Sequence, residues 1–262
     1  MVWFKENIMK KLLKSIGLCI GLLILNNIMV GIVSFIFAIF TKNPNGLNQN
    51  LYTLVFIGDL ITLILVHYIF LNFNKKILSK DIFKKISMKD AINISLFGIG
   101  CSVVLLILSG ILSQIFPDYK NVAAQLQSAS NSWSQLIFII LLVPIYEEIF
   151  FRRVIFGYLR EKYNLIGAVI GQALVFGLAH GNMVQGIYTF ILGIALALIY
   201  VYSESLVGSI IVHIIFNLLG ILVIPKLIAI NPAMIYLIII FGIVCIGISI
   251  SKIFKKYENV LY

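Results

Sequence analysis

Charge is scarce in this sequence. Only 11% of its 262 residues are Asp, Glu, Lys or Arg, against about a quarter in an ordinary soluble domain. Acids are the rarer kind, with 10 Asp and Glu against 20 Lys and Arg. There are three cysteines, Cys19, Cys101 and Cys245, each inside an apolar run and far from the others. That excludes a disulfide framework or a Cys-x-x-Cys metal or redox motif and leaves small core residues. Strict polar–apolar alternation is missing too, which excludes a membrane β-barrel. No repeat, low-complexity tract or soluble domain interrupts the chain. The formal charge of +10 does not point to nucleic acid, because the basic residues fall in short clusters between apolar runs, as determinants of membrane topology do.

What fills the sequence is hydrocarbon: 61% of positions are hydrophobic. A spanning helix needs about 20 apolar residues, since each adds about 1.5 Å towards a core of about 30 Å. Eight segments meet that length, at 15–40, 51–73, 91–115, 134–159, 164–181, 184–202, 206–224 and 232–251. Unpaired backbone is not tolerated in lipid, so these runs are expected to be helices. The expected fold is an all-α, polytopic membrane bundle of about eight spans, forming one integral membrane domain over 1–262. Within it, 1–133 holds peripheral spans one to three and a basic loop, 134–224 a core of spans four to seven, and 225–262 the last span and tail. Lys5, Lys10, Lys11 and Lys14 ahead of the first run resemble a signal peptide. The run is too long for a cleaved signal and no small-residue cleavage site follows, so a retained first span is expected.

The basic residues orient this bundle. With the N-terminus inside, segments 1–14, 74–90, 160–163, 203–205 and the tail from Lys252 hold 15 of the 20 Lys and Arg, and the opposite loops hold three, Lys42, Lys120 and Lys226. That bias places both termini in the cytoplasm and the protein in the cell membrane. In loop 74–90, Ile77, Ile82, Phe83 and Ile86 interleave with lysines at near-helical spacing, giving either an amphipathic helix on the anionic leaflet or a solvated basic connector.

Ionisable groups inside a membrane are costly, and therefore candidates for function. The fourth span carries Glu147, Glu148, Arg152 and Arg153. No other polar break interrupts Trp133–Leu159, which favours one helix, bent near Pro144, over an interfacial loop. On that helix Glu148 and Arg152 are four apart and can pair. Glu147 is turned about 100° away and stays available. Arg153 either supports the pair or faces a water-filled vestibule. The fifth span ends in Phe176-x-x-x-His180 and the seventh holds His213-x-x-x-Asn217, each pair on one helical face. A lone intramembrane His is commonly a packing partner, and His67 is read so. Two His, an Asn and a Glu-Glu-Arg set on neighbouring helices point further. Glu147 lies roughly 18 Å, His180 roughly 24 Å and His213 roughly 12 Å from the same membrane face, depths that tilted helices can bring together. A carboxylate near a neutral His can take a proton from water and direct it at a carbonyl; a second His and an Asn can donate to the developing oxyanion.

At these residues the sequence resembles the CAAX protease and bacteriocin-processing (CPBP) family of intramembrane glutamic endopeptidases. The family pattern stands here as Glu147-Glu148-x-x-x-Arg152, Phe176-x-x-x-His180 and His213-x-x-x-Asn217, with Ser205-Leu206 and Gly208-Ser209 also alike; the likeness covers roughly 134–220. The resemblance implies an intramembrane endopeptidase acting on a membrane-associated peptide or protein precursor. Glu147 and His180 would activate water, His213 and Asn217 would stabilise the oxyanion, and Glu148 and Arg152 would organise the site. It implies no cofactor, although two His and two Glu are a donor set that zinc could use. Arg153 departs from the family, where a small residue is common. Two other classes fit intramembrane charges: a non-catalytic immunity or scaffold protein that binds a peptide, and a proton-coupled transporter. The sequence shows no pair of broken helices or inverted repeat for the last. It carries nothing on oligomeric state.

Overall fold

The computed structural model describes residues 8–42 and 46–261; Lys5 and the middle of the 41–50 loop lie outside them. Every regular element described is helical. Apart from single turns at Gly46–Gln49 and Lys80–Phe83, these are in order α1 (Ile8–Thr41), α2 (Leu51–Leu71), α3 (Met88–Ile115), α4 (Tyr119–Ser130), α5 (Trp133–Lys162), α6 (Leu165–Ala179), α7 (Met183–Ser203), α8 (Leu206–Ile230) and α9 (Met234–Leu261). Seven of them (α1, α2, α3, α5, α7, α8 and α9) are long and apolar enough to cross a membrane. The protein is a multi-pass membrane helix bundle. The expected fifth span, α6, has 15 residues, about 22 Å of helix, which falls short of a core of about 30 Å. Its far end therefore stops within the depth of its neighbours, and the residue that follows it is His180.

Sharp reversals between the core helices are set by polar residues that cap the next helix. Asn164 accepts from the Gly167 amide at 2.8 Å, Asn182 from Val184 and Gln185 at 3.0 and 3.3 Å, and Ser205 from Val207 at 3.2 Å. Each satisfies helix-end amides that would otherwise be bare in an apolar setting. Without a solvent-driven force between helices, packing relies on close approach. Gly100 of α3 and Gly242 of α9 provide one such seam: a Cβ on Gly100 would lie 2.7 Å from the Gly242 carbonyl oxygen. Helix α5 is the centre. Its segment Ile149–Phe156 is buried at every position but Arg153, while α1 and α9 turn rows of Ile and Phe outwards, as lipid-facing helices do.

The disturbance expected at Pro144 is a widened, i→i+5 turn over Phe138–Leu142, ending two residues before the proline. The same device recurs in α8, where Leu218–Val223 is widened ahead of Pro225. Proline lacks an N–H and clashes with the carbonyl four residues back, and opening the preceding turn removes the clash. A third widened stretch, Glu148–Phe156, begins at the glutamate pair.

Loop 74–90 is not an amphipathic helix lying on a leaflet. Only Lys80–Phe83 forms a single helical turn. Ile77 and Ile82 are 3% and 4% exposed, so these two isoleucines face the bundle and not lipid, while Leu78 and Phe83 stay exposed. The loop is a strap across the basic end. Arg153 donates to the carbonyls of Ile77 (3.2 Å) and Lys76 (3.0 Å), Ser205 donates to the Lys84 carbonyl (2.7 Å), and Lys75 pairs with Glu161. Arg153 thus faces the strap, away from the Glu148–Arg152 pair. Replacing it with Ala removes two hydrogen bonds from a charged donor, about 1.5–3 kcal/mol each when fully realised and less for a partly exposed group. Limited proteolysis of the solubilised protein should then cut within 74–90 several-fold faster; an unchanged rate would show that the strap does not depend on Arg153.

Candidate active site

The site is assembled around α5. Glu148 and Arg152 are both fully buried, with Nη1 of Arg152 3.1 Å from Oε1 of Glu148, the i,i+4 pairing expected of one helical face. The guanidinium carbon also lies 4.5 Å from the Phe176 ring centroid, a cation–π contact that helps hold the charge away from water. Glu147 faces elsewhere: its side chain is 20% exposed and lines a cavity.

His213 of α8 joins the two glutamates. Its Nδ1 lies 2.7 Å from Oε1 of Glu148, and its Nε2 lies 3.3 Å from Oε2 of Glu147. Glu148, held by Arg152, accepts from Nδ1–H and thereby fixes which ring nitrogen turns to Glu147 and the cavity. Glu147, His213, Glu148 and Arg152 thus form one row in which two carboxylates alternate with two nitrogen-bearing groups.

His180 follows the short α6 directly, on the turn His180-Gly181-Asn182. Gly181 has φ +65°, a left-handed conformation that glycine adopts without strain. Nδ1 of His180 sits 2.8 Å from the Phe176 carbonyl oxygen. In the neutral ring Nδ1–H donates there, and Nε2 carries the lone pair. Phe176, fully buried, is the shared floor: its ring meets those of His180 at 5.0 Å, His213 at 5.9 Å and Phe151 at 4.8 Å, all edge-on.

Asn217 donates from Nδ2 to the Ile139 carbonyl at 2.8 Å. In the widened turn the Val143 amide bonds to Phe138, so the Ile139 carbonyl would next look to residue 144, which is proline. Asn217 satisfies the acceptor that Pro144 leaves bare. Its second amide proton and its oxygen remain free of that bond.

A cavity of ≈ 220 Å³ has Glu147, His180, His213 and Asn217 together on its wall. Glu148 and Arg152 lie behind that wall, and His67 is not part of it. The remaining polar lining was not singled out by sequence reasoning: Tyr52, Ser109, Tyr119, Gln185, Tyr188 and Thr189. Also unanticipated is a buried knot one residue before Glu147. Asn26 of α1 donates to Asp59 of α2 at 2.8 Å and to the Tyr146 hydroxyl of α5 at 3.0 Å, tying the two peripheral helices to the catalytic candidate. The available signal was Asp59 itself, the one carboxylate in α1 and α2. Among the described residues no group of three or more His, Cys, Asp and Glu is arranged to hold a metal ion.

Comparison with known proteins gives the same stretch of chain. Residues 129–219 match the family described as Type II CAAX prenyl endopeptidase Rce1-like. Over 74 residues the chain is 32% identical to the Bacillus subtilis (strain 168) protein named "Putative membrane peptidase YdiL", covering 28% of this chain and 30% of that protein. The similarity thus spans under a third of the relative's length. No solved structure matches. The family match contains Glu147, Glu148, Arg152, Phe176, His180, His213 and Asn217, so it is this core of the chain that is similar to the Rce1-like CAAX prenyl endopeptidases.

Proposed function

We propose that this protein is an intramembrane endopeptidase that hydrolyses a peptide bond in a membrane-associated peptide or protein, with Glu147 as general base. The observation that carries the reading is the convergence of Glu147, His180, His213 and Asn217, from two helices and one turn, on a single cavity. Glu147 accepts a proton from water, and the hydroxide adds to the scissile carbonyl carbon. The oxyanion so formed accepts from Nε2–H of His213 and from the second amide proton of Asn217, in a setting where low dielectric makes such donors effective. As the C–N bond breaks, the proton held by Glu147 passes to the leaving amine, with Nε2 of His180 as the group able to relay it. Water is thereby divided between the new carboxyl and the new amine, and no covalent intermediate is needed.

The test is to incubate purified, bilayer-reconstituted protein with candidate membrane peptides and read new termini by mass spectrometry. His180→Ala should lower cleavage by about 10²–10⁴-fold, the usual contribution of a general acid or base. Cleavage at the wild-type rate in His180→Ala would remove His180 from the reaction, and no cleavage of any candidate peptide by the wild type would favour a non-catalytic role in binding a peptide or membrane partner. The same assay addresses zinc. His180 Nδ1 is bonded to a carbonyl and both His213 nitrogens face carboxylates, an arrangement that already uses three of the four imidazole nitrogens. Cleavage should therefore be unchanged by a strong chelator; loss that zinc restores would overturn the metal-free reading.

A further inference from the structure

The cavity is not centred in the bundle. Its wall is drawn from the ends of the helices that lie opposite the basic strap. From α2 come Tyr52 and Val55, next to the 42–50 loop; from α3 come Leu106 and Ser109, towards the end that meets α4; and from α5 come Ile139, Val143 and Glu147, all in its first half. Helix α7 contributes Gln185, Tyr188, Thr189 and Leu192, its opening turns. The amphipathic α4, which joins α3 to α5 at that same end, adds Tyr119 and Leu126, so that Tyr119 shares the cavity wall with Tyr188 of α7. Helix α4 is therefore a roof over the mouth.

The other direction is closed. Beneath the glutamates, Phe150, Arg152, Gln172, Phe176, Leu196 and Leu206 are each at most 1% exposed. Below them the strap inserts Ile77 and Ile82, 3% and 4% exposed. The closed end carries the positive charge: its segments hold 15 of the 20 Lys and Arg, against Lys42, Lys120 and Lys226 at the α4 end. A bias of that size puts the strap in the cytoplasm.

We propose that the cavity is reached from the non-cytoplasmic face, beneath α4, and that the substrate is an exported or membrane-inserted polypeptide presented to it from that side. This rests on the protease reading for the word substrate, but the direction of access does not. The mouth supports a substrate chemistry as well. Among the described residues the lining holds, apart from Glu147, His180 and His213, no ionisable side chain other than tyrosine, and its polar groups are hydroxyls and amides. Such a wall suits a short extended stretch with small or uncharged side chains, held through its backbone, and disfavours a charged residue beside the scissile bond.

Access can be measured without catalysis, using a membrane-impermeant maleimide on intact cells and on inside-out vesicles. Three positions carry the test in the full-length chain: Gln185→Cys and Tyr52→Cys in the cavity, and Lys89→Cys in the strap, with the buried native Cys19, Cys101 and Cys245 giving the background. Two cavity positions are used so that one misfolded variant does not end the experiment. Expected is labelling of the cavity cysteines at least ten-fold faster from outside the cell, and labelling of Lys89→Cys only in inside-out vesicles. Faster cavity labelling from the cytoplasmic side, labelling of Lys89→Cys in intact cells, or no labelling of either cavity position from either face would each overturn the proposal. Loss of the protease reading alone would leave these labelling patterns unchanged.

Discussion

Glu147→Gln should abolish detectable cleavage while leaving the protein folded. Glutamine has the size of glutamate and can still meet Nε2 of His213, now 3.3 Å from the carboxylate, but it cannot accept a proton from water. Loss of a general base costs about 10²–10⁴-fold, and here the upper end is expected because, among the described residues, Glu147 is the one carboxylate lining the cavity. Stability should change little, by roughly 0.5 kcal/mol either way, as for substitutions that create no cavity and strand no buried charge. Glu147 is the partly exposed member of the pair, and the buried Arg152 is matched by Glu148. The measurement is turnover of a cleaved peptide by mass spectrometry alongside thermal unfolding of the same preparation. Retention of more than a tenth of wild-type turnover would remove Glu147 from the role of base; lost turnover with a lowered unfolding temperature would assign it a structural one.

The contrast between the two glutamates was readable in the sequence because helical geometry is local. A spacing of four puts Glu148 and Arg152 on one face whatever surrounds them, and a spacing of one turns Glu147 off that face. Depths read from a fixed rise per residue only allowed His180 and His213 to reach that pair, since they differ and need tilted helices to converge. What the sequence concealed depended on contacts between segments. Hydrophobicity alone gave α6 the length of a span, but a cap at Asn164 and a turn at Gly181 hold it to 15 residues. The strap's isoleucines repeat at a spacing that suits a helix, yet burial against the bundle and bonds from Arg153 and Ser205 impose an irregular path. Asn217 is the clearest case. Its bond to Ile139 exists because Pro144, on another helix, leaves a carbonyl without a partner. Nothing in the His213-x-x-x-Asn217 spacing announces that partnership. The roof formed by α4 was hidden for the same reason: an amphipathic loop helix shows that it covers something, and only the fold shows that it covers the cavity.

Arg152→Met should be the most destabilising single substitution at the site. Arg152 has no exposure to solvent and lies 3.1 Å from the equally buried Glu148. Methionine fills part of the volume but leaves the carboxylate without a counter-charge, and stranding one member of a buried ion pair costs about 3–5 kcal/mol. For a chain of this size each kcal/mol lowers the unfolding temperature by roughly 2–4 °C, so a fall of roughly 10 °C is expected. Removing both charges separates stability from function. In Glu148→Gln/Arg152→Met nothing charged is stranded, and replacement of a whole buried pair by neutral groups is often close to neutral in stability. The double variant should therefore regain most of the lost temperature. It should not regain full cleavage, because an amide, which carries a donor as well as an acceptor, does not orient Nδ1 of His213 as the carboxylate does, and loss of such an orienting partner typically lowers activity by about 10–100-fold. Unfolding curves for the wild type, both single variants and the double form a cycle whose coupling energy measures the pair. If Arg152→Met unfolds at the wild-type temperature, or if the double variant is no more stable than the single, the ion pair is not what holds this wall of the cavity in place.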